Sequence, residues 1–256
     1  LKGFLEGKTI LIMGVRNRWS IAWAIAQSAA EEGAALVFTV QSGRELEQTA
    51  ELVRDLGDYP VLECDVGSDD SIQSSFEELR RRSGVIHGLV HAIAHARSED
   101  LEGDFIATTR EGFAHALNVS AYSLIAVSRA ARGLMSGGGA IVTLSYIGAE
   151  RVVPGYKVMG VAKAALEATV RYLASELGSS SVRVNAISAG PIKTLSAKGI
   201  PNFGNLLETA AGQNPLRRAV DRSDIAGTAL YLLSDASAGV TGEVIHVDAG
   251  YHIMGV

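Results

Sequence analysis

Tyr156 and Lys163 put a phenol and an ammonium seven positions apart, on a segment whose neighbours read as a helix. On an α-helix, positions i and i+7 lie about two turns apart on nearly the same face. Both groups would then point the same way from one rod. Such a pair suits chemistry at an oxygen, with the hydroxyl meeting a reacting oxygen and the ammonium charge supporting it. A second phenol, Tyr146, stands ten positions before Tyr156.

The elements that must hold these groups alternate along the chain. Strands are expected at Thr9–Met13, Ala35–Val40, Val61–Cys64, Gly88–Ile93, Ala140–Leu144, Val182–Ile187 and Val244–Val247. They are rich in Val, Ile and Leu without strict polar alternation, as strands buried on both faces of a parallel sheet read. Helices are expected at Ser20–Glu32, Arg44–Leu56, Ser71–Arg82, Glu111–Leu134, Gly155–Leu177 and Ser223–Leu233. Gly33, Gly57, Gly84 and Gly178 follow four of them as stop signals. The alternation predicts an α/β fold: a single-domain, Rossmann-like, doubly wound parallel sheet over 1–256, with right-handed crossovers. Tyr146 then falls just past the fifth strand and Tyr156 in the first turn of the next helix, at the carboxyl edge where ligands bind. The segment 191–213, from Pro191 to Gln213, breaks the rhythm with Gly199, Pro201, Gly204 and Gly212. It is expected to be a helical cover over the substrate.

Composition narrows the function. The chain has 256 residues, 47% hydrophobic and 20% charged, with a formal net charge of −5. That size suits one large domain, and that charge gives no general attraction to nucleic acid or to an anionic membrane. No apolar run is long enough to span a bilayer. Cys64 is the lone cysteine, which fits a reducing compartment. No basic-then-apolar leader opens the chain, and Leu1 as first residue fits a trimmed or mature form, so a cytoplasmic enzyme is expected.

The first strand–helix turn, Gly14-Val15-Arg16-Asn17-Arg18-Trp19-Ser20-Ile21, has one glycine and lacks the G-x-G-x-x-G fingerprint. Ser20 is placed to cap the helix and meet a phosphate at its positive end. Gln41 ends the second strand, where a dinucleotide fold faces the adenosine ribose. It can bond a ribose hydroxyl but offers no charge to a 2′-phosphate; Arg44 is the nearby cation, and NADH is favoured over NADPH. Asp65 can accept from an adenine amino group while Val66 packs on the ring. Small residues at the end of the fourth strand, around Ile93, let backbone approach the nicotinamide-side ribose.

The spacing Tyr146-x9-Tyr156-x6-Lys163 joins Ser145–Arg151, Arg183–Thr194, the Gly14…Ser20-Ile21-Ala22 turn and the ending Ser237–Gly250. Together these resemble the enoyl-acyl carrier protein reductases, a divergent branch of the short-chain dehydrogenases. The resemblance covers essentially the whole chain. Ketone-reducing relatives place Lys four residues after Tyr, and that position here is Gly160.

The resemblance implies an NADH-dependent oxidoreductase of fatty acid biosynthesis that reduces the 2,3 double bond of trans-2-enoyl thioesters. Tyr156 would stabilise the developing enolate, Lys163 would bond the nicotinamide ribose, and Tyr146 would orient substrate or deliver a proton. It carries Gly14, Ser20, Ile21, Gln41, Asp65, Val66 and Ile93 to the cofactor. It places Ile192, Lys193, Thr194, Leu195 and Ser196 in a loop over the nicotinamide and pyrophosphate. Ala96 falls where the thioester enters, and Met159, Ala197, Ile200 and Phe203 would form the acyl pocket. Acyl carrier protein bearing enoyl chains is the implied partner, and a homotetramer the implied assembly.

Departures from that pattern are local. His95 stands where many relatives carry Phe or another apolar group. Lys157, commonly Asn in the family, is expected to be exposed, since it points about 100° away from Tyr156. Lys193, Lys198, Arg217, Arg218 and Arg222 are the cations available to an acidic carrier protein. His91 and His95 share a metal-like spacing, but at a strand end and with no Cys or carboxylate cluster, so no metal is expected. A ketone reductase of the same fold and a non-catalytic NAD-binding regulator are the competing readings. Gly160 argues against the first, and intact Tyr156 and Lys163 against the second.

Overall fold

A computed structural model describes residues 3–192 and 212–255. Seven strands form one sheet: β1 Thr9–Met13, β2 Ala35–Val40, β3 Val61–Glu63, β4 Gly88–His91, β5 Gly139–Tyr146, β6 Val182–Ala189 and β7 Val244–Val247. They pair in parallel in the order β3-β2-β1-β4-β5-β6-β7. The order reverses direction between β1 and β4, which opens a crevice at their carboxyl ends.

Alternation along β1 shows why these strands are apolar throughout. Ile10 and Ile12 pack into one core layer, and Leu11 and Met13 into the other. The first layer is covered by α1 (Ile21–Glu31), α2 (Gly43–Val53) and the last helix, Arg222–Leu233. The second is covered by α3 (Asp69–Ser83), α5 (Ser123–Arg132) and α6 (Val158–Leu177). Ser68 caps α3 by accepting from the Ser71 N–H at 3.3 Å. Asp221 and Asp224 form a reciprocal capping box on the last helix.

Four expectations change. The helix expected over Glu111–Leu134 is divided into α4 (Arg110–Leu117), a π-helical turn Asn118–Tyr122, and α5. The extra residue in such a turn re-aims the side chains around it, and Ser120 is one of them. The ladder of β5 and β6 continues to the pair Tyr146↔Ala189, so Tyr146 ends the strand and does not lie past it. Cys64 and Ile93 fall in connections just after β3 and β4.

The fourth change concerns the opening pair. Helix α6 starts at Val158, and Lys157 precedes it with φ 43° and ψ −121°. Tyr156 therefore stands outside the helix, on a turn closed by its N–H to the Val153 carbonyl at 3.0 Å. Tyr156 and Lys163 do not share a helical face. A positive φ at Lys157 breaks the rod between them.

Candidate active site

The carboxyl ends of β1, β2, β4, β5 and β6 border one cleft of about 580 Å³. Gln41, Asp65 and Val66 line one end of it, Gly14, Ser20 and Ile21 the middle, and Ile93, Tyr146, Tyr156 and Lys163 the other. Ala96, Met159 and Ile192 also border it. Lys193, Thr194, Leu195, Ser196, Ala197, Ile200 and Phe203 lie outside the described residues.

Gly14 sits at the switch point with φ +97°, and a Cβ there would lie 2.1 Å from the Ala92 carbonyl oxygen. Glycine is what lets the ends of β1 and β4 close on each other. The rest of the long turn is tied by Asn17, whose Oδ1 accepts from the Trp19 N–H at 2.8 Å. Ser20 occupies the N-cap position of α1 but makes no capping bond; its hydroxyl donates to the Asn17 carbonyl at 2.6 Å. The capping role expected of Ser20 is thus replaced by a turn-closing one. The Trp23 N–H donates to the Ser20 carbonyl at 3.1 Å, and the Ile21 and Ala22 N–H groups are left for a phosphate, which the helix dipole also favours.

At the adenosine end, the Gln41 N–H donates to Glu45 Oε2 at 3.3 Å, and Glu45 pairs with Arg16 at 3.3 Å. An acid paired with Arg16 therefore stands beside Gln41. Asp65 Oδ1 accepts from the Gly67 N–H at 3.0 Å, and the Asp65 N–H donates to Ser71 Oγ at 2.9 Å. These bonds fix the carboxylate on the cleft wall.

At the chemical end, the rings of Tyr146 and Tyr156 meet edge to face with centroids 4.9 Å apart. Burial, and then the neighbouring phenol of Tyr146, pushes the Tyr156 pKa well above the usual range. Burial does the same to Tyr146, with Tyr251 adding to it. Both phenols therefore stay protonated near neutrality and act as donors. The Tyr146 hydroxyl is buried without a hydrogen-bond partner among the described residues. A buried donor left unbonded costs free energy, so a ligand oxygen on this wall fits the residues present.

Lys163 is 6% exposed. Its Nζ donates to the Leu144 carbonyl at 2.6 Å. Burial pushes its pKa down to about 8, against the opposing pull of Glu167. Glu167 accepts from the Ser145 hydroxyl at 2.5 Å, and burial raises its own pKa. The ammonium is thus held on the end of β5, charged below about pH 8.

The two histidines singled out by their spacing lie in different surroundings. His91 is fully buried; its Nδ1 faces Thr143 Oγ1 at 3.0 Å and its Nε2 faces Ser123 Oγ at 2.9 Å. Burial, then the Lys163 charge, drops its pKa to about 3, so it stays neutral. His95 turns elsewhere, to His115 at 2.7 Å. The two do not converge, and the described residues contain no group of three His, Cys, Asp or Glu suited to a metal.

Lys157 is half-buried, not the exposed residue expected, and its Nζ donates to the Gly103 carbonyl. It ties the turn that carries Tyr156 to the loop after β4. Sequence reasoning also misses Gly148, His115, Ser120 and Glu167. A Cβ on Gly148 would lie 2.4 Å from the Tyr156 ring. Glu167 sits four residues after Lys163 on α6, a spacing that signals contact. The other three carry no sequence signal, since their partners lie on other elements.

Comparison with known proteins follows the same lines. A family model described as Enoyl-(Acyl carrier protein) reductase matches residues 14–252. The enoyl-(acyl-carrier-protein) reductase (NADH) FabI of Bacillus cereus is 51% identical over 257 residues, spanning 98% of this chain and 99% of that protein. A crystal structure of the Bacillus cereus enoyl-acyl carrier protein reductase with NADP+ and indole naphthyridinone has a TM-score of 0.98 at 50% identity, with both chains fully covered. An enoyl-(acyl-carrier-protein) reductase from Anaplasma phagocytophilum in complex with NAD has a TM-score of 0.96 at 42% identity, covering 100% of this chain and 98% of that one.

Proposed function

The chain belongs to the enoyl-(acyl carrier protein) reductase family, and on that premise we propose that it reduces the 2,3 double bond of trans-2-enoyl thioesters with NADH. This is the last reductive step of type II fatty acid elongation. The observation that carries the assignment to residues is one cleft bordered by Gly14, Ser20, Gln41 and Asp65 at one side and by Tyr146, Tyr156 and Lys163 at the other.

NADH, when bound, supplies the hydride that goes to C3 of the enoyl chain. The work of this chain's residues is to hold both partners and to stabilise charge. Gln41, Asp65 and Val66 hold the adenosine, and the N-terminal end of α1 with Ser20 and Ile21 holds the pyrophosphate. Lys163 holds the nicotinamide ribose and makes the site positive. Hydride addition at C3 moves an electron pair onto the thioester oxygen, and a donor aimed at that oxygen lowers the barrier. Tyr156, kept protonated by burial, is that donor. Tyr146 lies against it and orients the thioester or relays a proton, and the enolate is protonated at C2 by a proton drawn from solvent water.

The chain works as one domain, with 191–213 as its cover, on enoyl groups carried by acyl carrier protein. No described helix is long and apolar enough to cross a membrane. Homotetramer assembly and a cytoplasmic setting complete the reading. The test is NADH oxidation with crotonyl and longer enoyl thioesters beside a β-ketoacyl thioester. Turnover of the enoyl compounds is expected; turnover of the ketoacyl compound alone ends the reading.

A further inference from the structure

His95 and His115 share a hydrogen bond at the mouth of the cleft, and the reaction makes no use of it. His95 Nδ1 meets His115 Nε2 at 2.7 Å, with the rings edge to face. His95 lies in the segment after β4 and His115 in α4, and both border the cleft with Ala96, Ser98 and Met159. The backbone of His95 is clamped by Ser120 on the π-helical turn. Ser120 Oγ accepts the His95 N–H at 2.9 Å and faces the His95 carbonyl at 3.1 Å.

A neutral imidazole has one N–H and one bare nitrogen. In the shared bond one ring donates and the other accepts. Whichever way the proton lies, the pair keeps one N–H and one bare nitrogen for another partner. If His95 Nδ1 donates, His95 Nε2 is bare and His115 Nδ1 carries a proton; the other tautomers reverse this. Among the described residues neither ring makes a second hydrogen bond. Burial, then the neighbouring His115, Arg16 and Arg97, lower the His95 pKa, which favours a neutral His95 ring.

A secondary amide offers an N–H on one side of its C–N bond and a carbonyl on the other, and either group finds a partner in such a pair. We propose that His95 and His115 form an amide-recognition subsite at the cleft mouth, which reads the secondary amides of the pantetheine arm of the thioester substrate. This rests on the enoyl-thioester reading above. The same arm occurs on acyl carrier protein and on CoA, so the shared amide chemistry is what the pair selects. Tautomer exchange lets it accept the amide in either orientation.

The test compares kcat/KM for the S-ethyl thioester of crotonate, which has no amide, with the N-acetylcysteamine, CoA and carrier-protein thioesters. In H95F, and separately in H115F, the ratio of amide-bearing to amide-free kcat/KM should fall about tenfold, the scale of one lost hydrogen bond. It should fall alike for all three amide-bearing substrates, mainly through KM. H95N, which keeps a donor and an acceptor, should restore part of the ratio. An unchanged ratio overturns the proposal, and so does a loss confined to the carrier-protein substrate. If the wild type reduces none of these thioesters, the underlying reading fails. Turnover with an unchanged ratio fails the subsite alone.

Discussion

The carbonyl oxygen of Gly148 lies 2.8 Å from where a Cβ on Gly160 would stand. Gly160 is the fourth residue after Tyr156, the place where ketone-reducing relatives carry their Lys. Gly148 in turn leaves no room for a Cβ of its own, because the Tyr156 ring fills that space at 2.4 Å. The two glycines let the turn after β5 press onto the start of α6, and a side chain at 160 is excluded by backbone. The lysine that borders the cleft is Lys163, one turn further on.

G148A should push the Tyr156 ring out of place. Overpacking of this kind costs about 1–3 kcal/mol. Its mark would be a drop in kcat larger than any change in KM for NADH, read by steady-state kinetics beside a thermal melt. Normal kcat in a folded G148A protein would refute the close packing as a catalytic requirement.

On the proposed mechanism, Y156F removes the donor to the developing charge. Loss of one such donor costs about 10²–10³ in kcat, with NADH binding nearly unchanged by fluorescence titration. Y146F takes away a buried hydroxyl that lacks a partner among the described residues. The cofactor-free Y146F protein should therefore be as stable as the wild type or more so, in urea denaturation. A clear loss of stability would show that the Tyr146 hydroxyl is bonded after all.

Lys163 sets two pH dependences with one cause. Its pKa falls from 10.5 to about 8 on burial. Below about 8 the folded chain bears the full cost of a buried charge. Between about 8 and 10.5 the unfolded chain binds more protons, so this contribution to stability improves as pH rises. The stability of the cofactor-free wild type relative to K163M should rise by about 3 kcal/mol across that window, at about 1.4 kcal/mol per pKa unit. NADH affinity should move the opposite way, weakening above pH 8 as the ammonium is lost. A flat stability difference from pH 7 to 10.5 contradicts the buried-charge account. K163A should weaken NADH binding at every pH below that window.

Glu45, beside Gln41 and paired with Arg16, should repel a 2′-phosphate. E45Q removes that charge and frees Arg16. The NADH over NADPH preference in kcat/KM should narrow by about tenfold, the effect of about 1.4 kcal/mol. An unchanged preference would place the discrimination elsewhere.

Arg217 and Arg218 separate as docking candidates. Arg218 is committed to Asp224 through contacts of 2.5 and 2.9 Å, in the capping box of the last helix. R218E should therefore lower the melting temperature as well as any docking. R217E, at an exposed site, should raise KM for carrier-protein substrates more than for CoA substrates. Equal effects on both substrates reject Arg217 as a docking residue.

Much of this protein is written locally in its sequence. The seven strands are legible because a parallel sheet covered on both faces demands short unbroken apolar runs. Helix stops are legible because glycine alone takes the left-handed turn cheaply, as at Gly33 and Gly84. The cleft-lining residues follow from those elements, since strand ends in such a sheet open on one crevice. What tertiary structure decided is how groups from separate elements meet. The strained backbone at Lys157 takes Tyr156 off the helix that carries Lys163. The Gly148–Gly160 contact leaves no room for a side chain at 160. The π-helical turn aims Ser120 at His95, and α4 brings His115 to it. These contacts join residues 12 to 25 positions apart, across crossings and backbone angles that no local pattern encodes.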